Sequence, residues 1–405
     1  MKPIAFVIPW YGDDIQGGAE IECNHLAHCF MDSGMEVEVL TTCVKKAADD
    51  KGKNTLHAGI SKESGVLVRR FKVRKQNKDR YNCANLKLYN NMPVTAEEER
   101  MYVEEDINSP AMYRYIRDNR DKYECFIFMP YLYGPTYNGS RECPDNCIMI
   151  PCFHDESYAY MNLTKECAAR FKGMIFLSKP EGELAHRLYD LSKVKTAVLG
   201  AYVESGWEDS CDPQAFREKY NIQDDFILYA GRKDSGKKAD ELMKFFIQYK
   251  KFHKEEKLKL VIIGGGTLEI PREFQREVID LGFVSIEDKH NAFAASLFLC
   301  NPSYFESFSI VIMESWLAKR PVLVSEHCAV TTNFCQENNG GLYYDNFGTF
   351  CGCLDFMIKN KEIADKMGEN GFKYVTENFT HKVISEKYIR FLRGIIEDKS
   401  TAFTK

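Results

Sequence analysis

The stretch Leu297-Phe-Leu-Cys300, followed by Asn301-Pro-Ser-Tyr-Phe-Glu306-Ser-Phe-Ser-Ile-Val-Ile-Met-Glu314, decides the fold. Its first four residues are a short apolar run, as expected of a parallel strand buried on both faces. The polar segment after it opens an apolar helix. In open parallel sheets, ligands bind at the carboxyl ends of the strands. A helix starting there presents unpaired N–H groups and a positive dipole end, which suit a phosphate. Ser307 and Ser309 are small and can add hydroxyl donors. Glu306 and Glu314 are eight residues apart, about 12 Å on a continuous helix. That gap is too wide for the roughly 5–9.5 Å carboxylate pair of a glycosidase. It matches the reach from a sugar ring, across a diphosphate, to a ribose.

The same rhythm extends outward from this stretch. Upstream, Phe226 to Ala230 reads as a strand, Ala239 to Phe252 as a helix and Leu258 to Ile263 as a strand. Phe283-Val284 and Pro321 to Val324 read as further strands. The first half repeats the alternation. Its strands are Ile4 to Ile8, Met35 to Thr41, Val66 to Val73, Cys125 to Pro130, Cys147 to Phe153, Met174 to Leu177 and Thr196 to Leu199. Residues 45 to 65 read as a loop and Met101 to Asn119 as one helix. Alternating strands and helices imply parallel sheets covered on both faces. The fold class is therefore α/β, with two Rossmann-like, doubly wound domains. The expected division is 1–205, then 206–380, then a C-terminal helix, 381–405, with an apolar stripe of Ile384, Tyr388, Phe391, Leu392 and Ile395.

Composition narrows the function classes. The chain has 405 residues, long enough for two domains of this kind. Lys+Arg is 54 against Asp+Glu 59, a formal net charge of -5, which argues against a nucleic-acid binder. No apolar run reaches membrane-span length. The N-terminal apolar run meets Pro9, Asp13 and Asp14 without a cleavage site, so a cytoplasmic location is expected. Fifteen dispersed cysteines read as reduced thiols. Cys143, Cys147, Cys152 and His154 lack the paired spacing of a metal site, and no metal or cofactor is expected. The basic run Lys62, Arg69, Arg70, Lys72, Arg74, Lys75, Lys78 and Arg80 reads first as a solvated face. Its alternative is docking to an anionic acceptor or to anionic lipid headgroups, as peripheral contact at the inner membrane face.

Three further clusters carry chemistry. Gly231-Arg232-Lys-Asp-Ser-Gly236-Lys237-Lys238 follows a strand. The guanidinium of Arg232 and the ammonium of Lys237 could clamp a diphosphate. The run nearly spells a P-loop, but Lys238 stands where a magnesium-binding Ser or Thr is required. Gly17-Gly18 follows the first strand and would let backbone approach a ligand. A full Gly-x-Gly-x-x-Gly fingerprint is absent both there and at Gly264 to Gly266. His154, beside Asp155 at a strand end, is suited to polar contact with a sugar.

Taken together and in order, these residues resemble the retaining glycosyltransferases of family 4, which have the GT-B fold. The elements are Gly17-Gly18, His154-Asp155, Gly231-Arg232 with Lys237, the glycines 264–266, Gly282-Phe283-Val284, Glu306-x7-Glu314 and Asn338 to Leu342. The resemblance implies two domains facing across a cleft and a nucleotide-sugar donor held by the second. It implies a catalytic set of Glu306, His154, Arg232 and Lys237. The implied donor-binding set is Gly17, Gly18, Gly231, Phe283, Ser307, Phe308, Ser309, Ile310 and Glu314. Glu306 would meet sugar hydroxyls, Glu314 the ribose, and the backbone around Phe283 the base. Gly18 and His154 would close over phosphate and sugar. The implied partners are a nucleotide sugar and a glycan or lipid-linked acceptor, in surface polysaccharide synthesis. The pattern departs at Ser307 and Ser309, where the family carries glycines, and at Gly200 to Glu204 near the domain junction. Residues 45–100 match it poorly. A non-catalytic nucleotide-sugar-binding protein and an epimerase or phosphorylase on the same fold are the competing readings.

Overall fold

The structure, a computed structural model, describes residues 2–12, 17–46 and 49–402. The chain forms two compact units, Met1–Tyr202 with His381–Lys405, and Val203–Thr380. The first is built on eight strands. These are β1 (Ile4–Val7), β2 (Val37–Thr42), β3 (Gly59–Glu63), β4 (Val66–Phe71), β5 (Cys125–Phe128), β6 (Cys147–Met149), β7 (Gly173–Phe176) and β8 (Lys195–Val198). Their order is β3-β4-β2-β1-β5-β6-β7-β8, parallel except for the β3–β4 hairpin. The fully buried runs IAFV of β1 and CFIF of β5 lie side by side, so the least polar strands form the centre of the sheet.

Three expectations for this unit need correction. The 45–65 stretch is not all loop, because it contains β3. This edge strand is almost wholly exposed and so lacks the apolar alternation that marks a half-buried strand. It pairs with β4 through Ser64-Gly65, both at positive φ, as a two-residue hairpin turn requires. The single helix expected over 101–119 is two, Ala96–Glu105 and Pro110–Asn119. Pro110 cannot donate a backbone hydrogen bond and biases Ser109 away from helical geometry, so the chain restarts there. Thr95 and Glu98 form a capping box that opens the first of the pair. Finally, β6 ends at Met149 and does not run on to Phe153.

The helix His381–Ala402 packs within this same unit. Its stripe of Ile384, Tyr388, Phe391, Leu392 and Ile395 is buried. Tyr388 donates its hydroxyl to Gly200 O at 2.8 Å. Gly173 in β7 permits the close approach, since a Cβ there would lie 2.3 Å from Ile395 Cδ1. The basic run folds against carboxylates. Arg69 lies 2.7 Å from Glu38, Arg74 3.1 Å from Glu105 and Lys78 2.7 Å from Asp50, while Arg70 pairs with Glu63. Much of its charge is therefore neutralised inside the unit.

The second unit has six parallel strands, β9 (Phe226–Ala230), β10 (Lys259–Ile263), β11 (Val278–Gly282), β12 (Leu299–Asn301), β13 (Val322–Ser325) and β14 (Gly341–Tyr344). They run in the order β11-β10-β9-β12-β13-β14, the doubly wound arrangement of dinucleotide-binding sheets. The winding direction reverses between β9 and β12, so the segments leaving these two strands diverge and leave a crevice. Two boundaries differ from expectation. β12 starts at Leu299, not Leu297. Phe283 and Val284 lie beyond β11, which ends as Gly282 turns into the left-handed region (φ 65°).

Candidate active site

The switch point of the second sheet gathers residues far apart in sequence. After β9 the chain passes through 231–238. After β12 it passes through 302–309 and then enters the helix Ile310–Leu317. The two segments are laced by the Tyr304 N–H, which donates to Gly236 O at 3.4 Å. Lys237 Nζ lies 2.8 Å from Glu306 Oε1, with side-chain exposures of 26% and 10%. A partly buried ammonium thus sits against a largely buried carboxylate, each limiting the rotamers of the other.

Glu306 is not on the helix. It lies in the loop ahead of Ile310, whereas Glu314 lies one turn inside, so helical spacing does not set their separation. Ser309 caps this helix at φ 71° and ψ 76°, a left-handed conformation uncommon outside glycine. Asn301 Nδ2 donates to Ser309 Oγ at 2.9 Å and holds it there. The serine therefore keeps a glycine-like backbone, and its hydroxyl is engaged within the fold. Phe308 is buried, packed edge-on against Phe379 and Phe334 with ring centroids at 5.0 and 5.5 Å. Its ring is core, and only its backbone is available to a ligand. Ser307 and Ile310 are half-buried.

Arg232 is highly exposed, and its Nε lies 3.3 Å from Asp234 Oδ2. Asp234 also accepts the Lys237 N–H at 3.1 Å, so one carboxylate joins Arg232 and Lys237. Lys233 between them is turned inward. Its side chain is 1% exposed, and Nζ reaches Asp280 Oδ1 at 2.6 Å and Gly264 O at 2.8 Å. It fastens the loop after β9 to the glycine turn after β10 and to β11. A Cβ on Gly264 would fall 2.1 Å from Gly231 O, and one on Gly265 would fall 2.6 Å from the Phe283 ring. Glycine is therefore required where these turns meet. Phe283 itself is 70% exposed and presents an aromatic face beside the turn.

Lys289 is a partner that sequence reading missed. From the helix Ile286–Ala295 it places Nζ 2.6 Å from Glu314 Oε1. The site shifts its neighbours. Burial, then Asp234 and Glu306, push the Tyr229 hydroxyl upward. Burial and then Glu306 push the Cys328 thiol up. Burial and then Lys289 lower His290 to about 4.

The remaining candidates lie in the first unit. Gly17 caps the helix Gly18–Asp32, and a Cβ on it would strike Glu20 Oε2 at 1.8 Å, whereas one on Gly18 would meet nothing within 4 Å. Residues 13–16 just before lie outside the described residues. His154 has Glu156 beside it. Its Nδ1 lies 3.4 Å from Glu156 Oε1, while Asp155 accepts from Arg187 at 3.1 Å and from Tyr160 at 2.6 Å. Buried Glu181, also missed, fixes the His154 loop by accepting the Phe153 N–H at 2.7 Å and the Leu177 N–H at 2.6 Å. Burial pushes its carboxyl up to about 8, against the pull of those backbone hydrogen bonds. Cys143 and Cys147 turn their thiols to the backbone carbonyls of Gly139 and Pro144, both at 3.7 Å.

Comparison with known proteins bears on the fold and the second unit. Residues 212–374 match the family model described as "Glycosyl transferases group 1". The chain is 25% identical over 195 residues to the O-antigen chain mannosyltransferase C of Escherichia coli, covering 44% of this chain and 49% of that protein. It thus spans about half the length of the curated relatives that it first matches. Among solved structures, sucrose-phosphate synthase from Thermosynechococcus elongatus superposes with a TM-score of 0.69 at 15% identity, over 98% of this chain and 100% of that one. Anabaena HepE in complex with UDP-glucose does so with a TM-score of 0.69 at 13% identity, over 97% and 100%. The fold is shared across both units with GT-B glycosyltransferases, and residues 212–374 match the glycosyl transferases group 1 model.

Proposed function

We propose that the chain is a retaining, metal-independent glycosyltransferase of the family 4 type. It moves a hexose-type sugar from a nucleoside-diphosphate sugar to a glycan or lipid-linked acceptor, in surface polysaccharide synthesis. The observation that carries this reading is the Lys237–Glu306 contact at the switch point between β9 and β12. It sets a cation for a leaving phosphate beside a carboxylate for sugar hydroxyls, next to a helix start. The mannosyltransferase relative and the UDP-glucose complex of HepE support the donor class.

In the reaction, the bond from the anomeric carbon to the phosphate oxygen breaks, and its electron pair leaves with the diphosphate. The acceptor oxygen bonds to the same face of the anomeric carbon, and its proton passes to a phosphate oxygen. Lys237, Arg232 and the N–H groups opening the helix Ile310–Leu317 stabilise the charge that develops. Glu306 orients the sugar, Glu314 takes the ribose, and the exposed ring and backbone at Phe283 take the base. Gly231 and the backbone of Ser307, Phe308, Ser309 and Ile310 give the diphosphate room and donors. Gly17, Gly18 and His154 belong to the first unit, which we assign to the acceptor side.

The test is turnover with a panel of nucleotide sugars and glycoside acceptors in the presence of EDTA, followed by NMR of the product. The expected result is nucleoside-diphosphate release undiminished by EDTA, with the donor's anomeric configuration kept. An inverted product or a reaction abolished by EDTA would contradict the mechanism. Tight donor binding with no turnover would favour a non-catalytic binding protein.

A further inference from the structure

Glu314 is half satisfied. Its Oε1 receives the Lys289 ammonium at 2.6 Å. Its Oε2 is buried and meets no hydrogen-bond partner among the described residues. The residue as a whole is 9% exposed. A carboxylate oxygen withdrawn from water without a donor carries a desolvation penalty, and such an atom calls for an explanation. A ligand that brings hydroxyl donors supplies one. The ion pair explains why the carboxylate can wait in this state. Lys289 compensates its charge and fixes the plane of the group, so that Oε2 is presented in one orientation. The neighbouring His290 brings no competing cation. Its ring is stacked flat on Trp207, centroid to centroid 3.9 Å, and burial keeps it neutral.

Resting on the donor-domain reading above, we propose that Lys289 is a positioning residue that makes Glu314 a reader of the ribose cis-diol. Lys289 holds Oε1, and Oε2 accepts from a ribose hydroxyl. The chain thereby selects ribonucleotide donors over nucleotides that lack those hydroxyls. A site built to hydrogen-bond a hydroxyl discriminates strongly against the analogue without it, because the buried acceptor is then left unpaired. Nothing in the sequence alone singled out Lys289. Twenty-five residues separate it from Glu314, and only the packing of their two helices brings them together.

The experiment is calorimetric titration of the full chain with UDP and GDP and with their 2′,3′-dideoxy forms. It compares wild type, Lys289→Met and Lys289→Arg, and melting curves report on folding. The ratio of the two affinities is the readout, because a general loss of positive charge weakens both ligands alike. In wild type the ribose form of the base that binds is expected to be preferred by about tenfold or more. In Lys289→Met the ratio should fall below about threefold through weaker binding of the ribose form, while Lys289→Arg keeps most of it. If the methionine variant does not fold, Lys289→Gln carries the same expectation. A ratio unchanged in a folded Lys289→Met protein, an equal loss for both forms, or no ribose preference in wild type would overturn the role of Lys289 and leave the donor reading standing. Failure of wild type to bind either nucleoside diphosphate would overturn the donor reading and this assignment with it.

Discussion

Glu306→Gln is expected to lower kcat by about a thousandfold, roughly 4 kcal/mol of lost transition-state stabilisation, while the melting temperature stays within a few degrees. The substitution keeps the size and shape of the side chain, so packing is preserved. It removes the charge that Lys237 faces at 2.8 Å. A second consequence separates this role from a structural one. In the resting protein Glu306 holds the Lys237 ammonium, which a diphosphate would have to draw away on the proposed reading. Without its charge, Lys237 is free for the phosphates, and nucleoside-diphosphate affinity should hold or rise while turnover collapses. Steady-state kinetics together with calorimetry read both effects. Activity within about fivefold of wild type would remove Glu306 from the catalytic set.

Lys233→Met should have the second-largest effect, on stability. The Lys233 ammonium is buried and bridges Asp280 and Gly264 O. Removing it leaves Asp280 without its cation and a backbone carbonyl without that donor. Breaking a buried pair in this way costs about 3–5 kcal/mol. For a unit of this size that corresponds to a fall in melting temperature of roughly 6–20 °C. Because the same ammonium joins the turns after β9 and β10 to β11, nucleotide binding should weaken as well. Differential scanning calorimetry checks the first effect, and an unchanged melting temperature would show that the bridge is dispensable.

Most of the sheet architecture was legible because central parallel strands are continuous apolar runs. Phe226 to Ala230 and Cys125 to Phe128 could hardly be anything else once flanked by turn residues. What escaped were elements whose stability comes from outside their own sequence. β3 is an exposed edge strand held by its hairpin turn, and its residues carry no periodic signal. The break at Pro110 was visible in the sequence and was overridden by the apolar periodicity on either side. In the site, the residues that touch ligand in this reading were legible from their place after strands. The residues that hold them were not. Lys233, Lys289 and Glu181 look like ordinary surface charges until the fold brings Asp280, Glu314 and the Phe153 backbone to them. The contacts of His154 with Glu156 and of Asp155 with Arg187 were likewise not legible in the dipeptide. Ser309 shows how a serine can hold a left-handed turn, because Asn301 supplies a hydrogen bond to its hydroxyl.

The central claim is that a nucleoside diphosphate is gripped by Lys237 and Arg232 where β9 and β12 part. Metal-free calorimetry of UDP and GDP with wild type and with the Lys237→Ala, Arg232→Ala double variant tests it most directly. The account predicts micromolar binding of at least one of them to wild type and a loss of about tenfold or more in the double variant, as expected when charge-assisted hydrogen bonds to phosphate are removed. Undiminished binding by the folded double variant would contradict it.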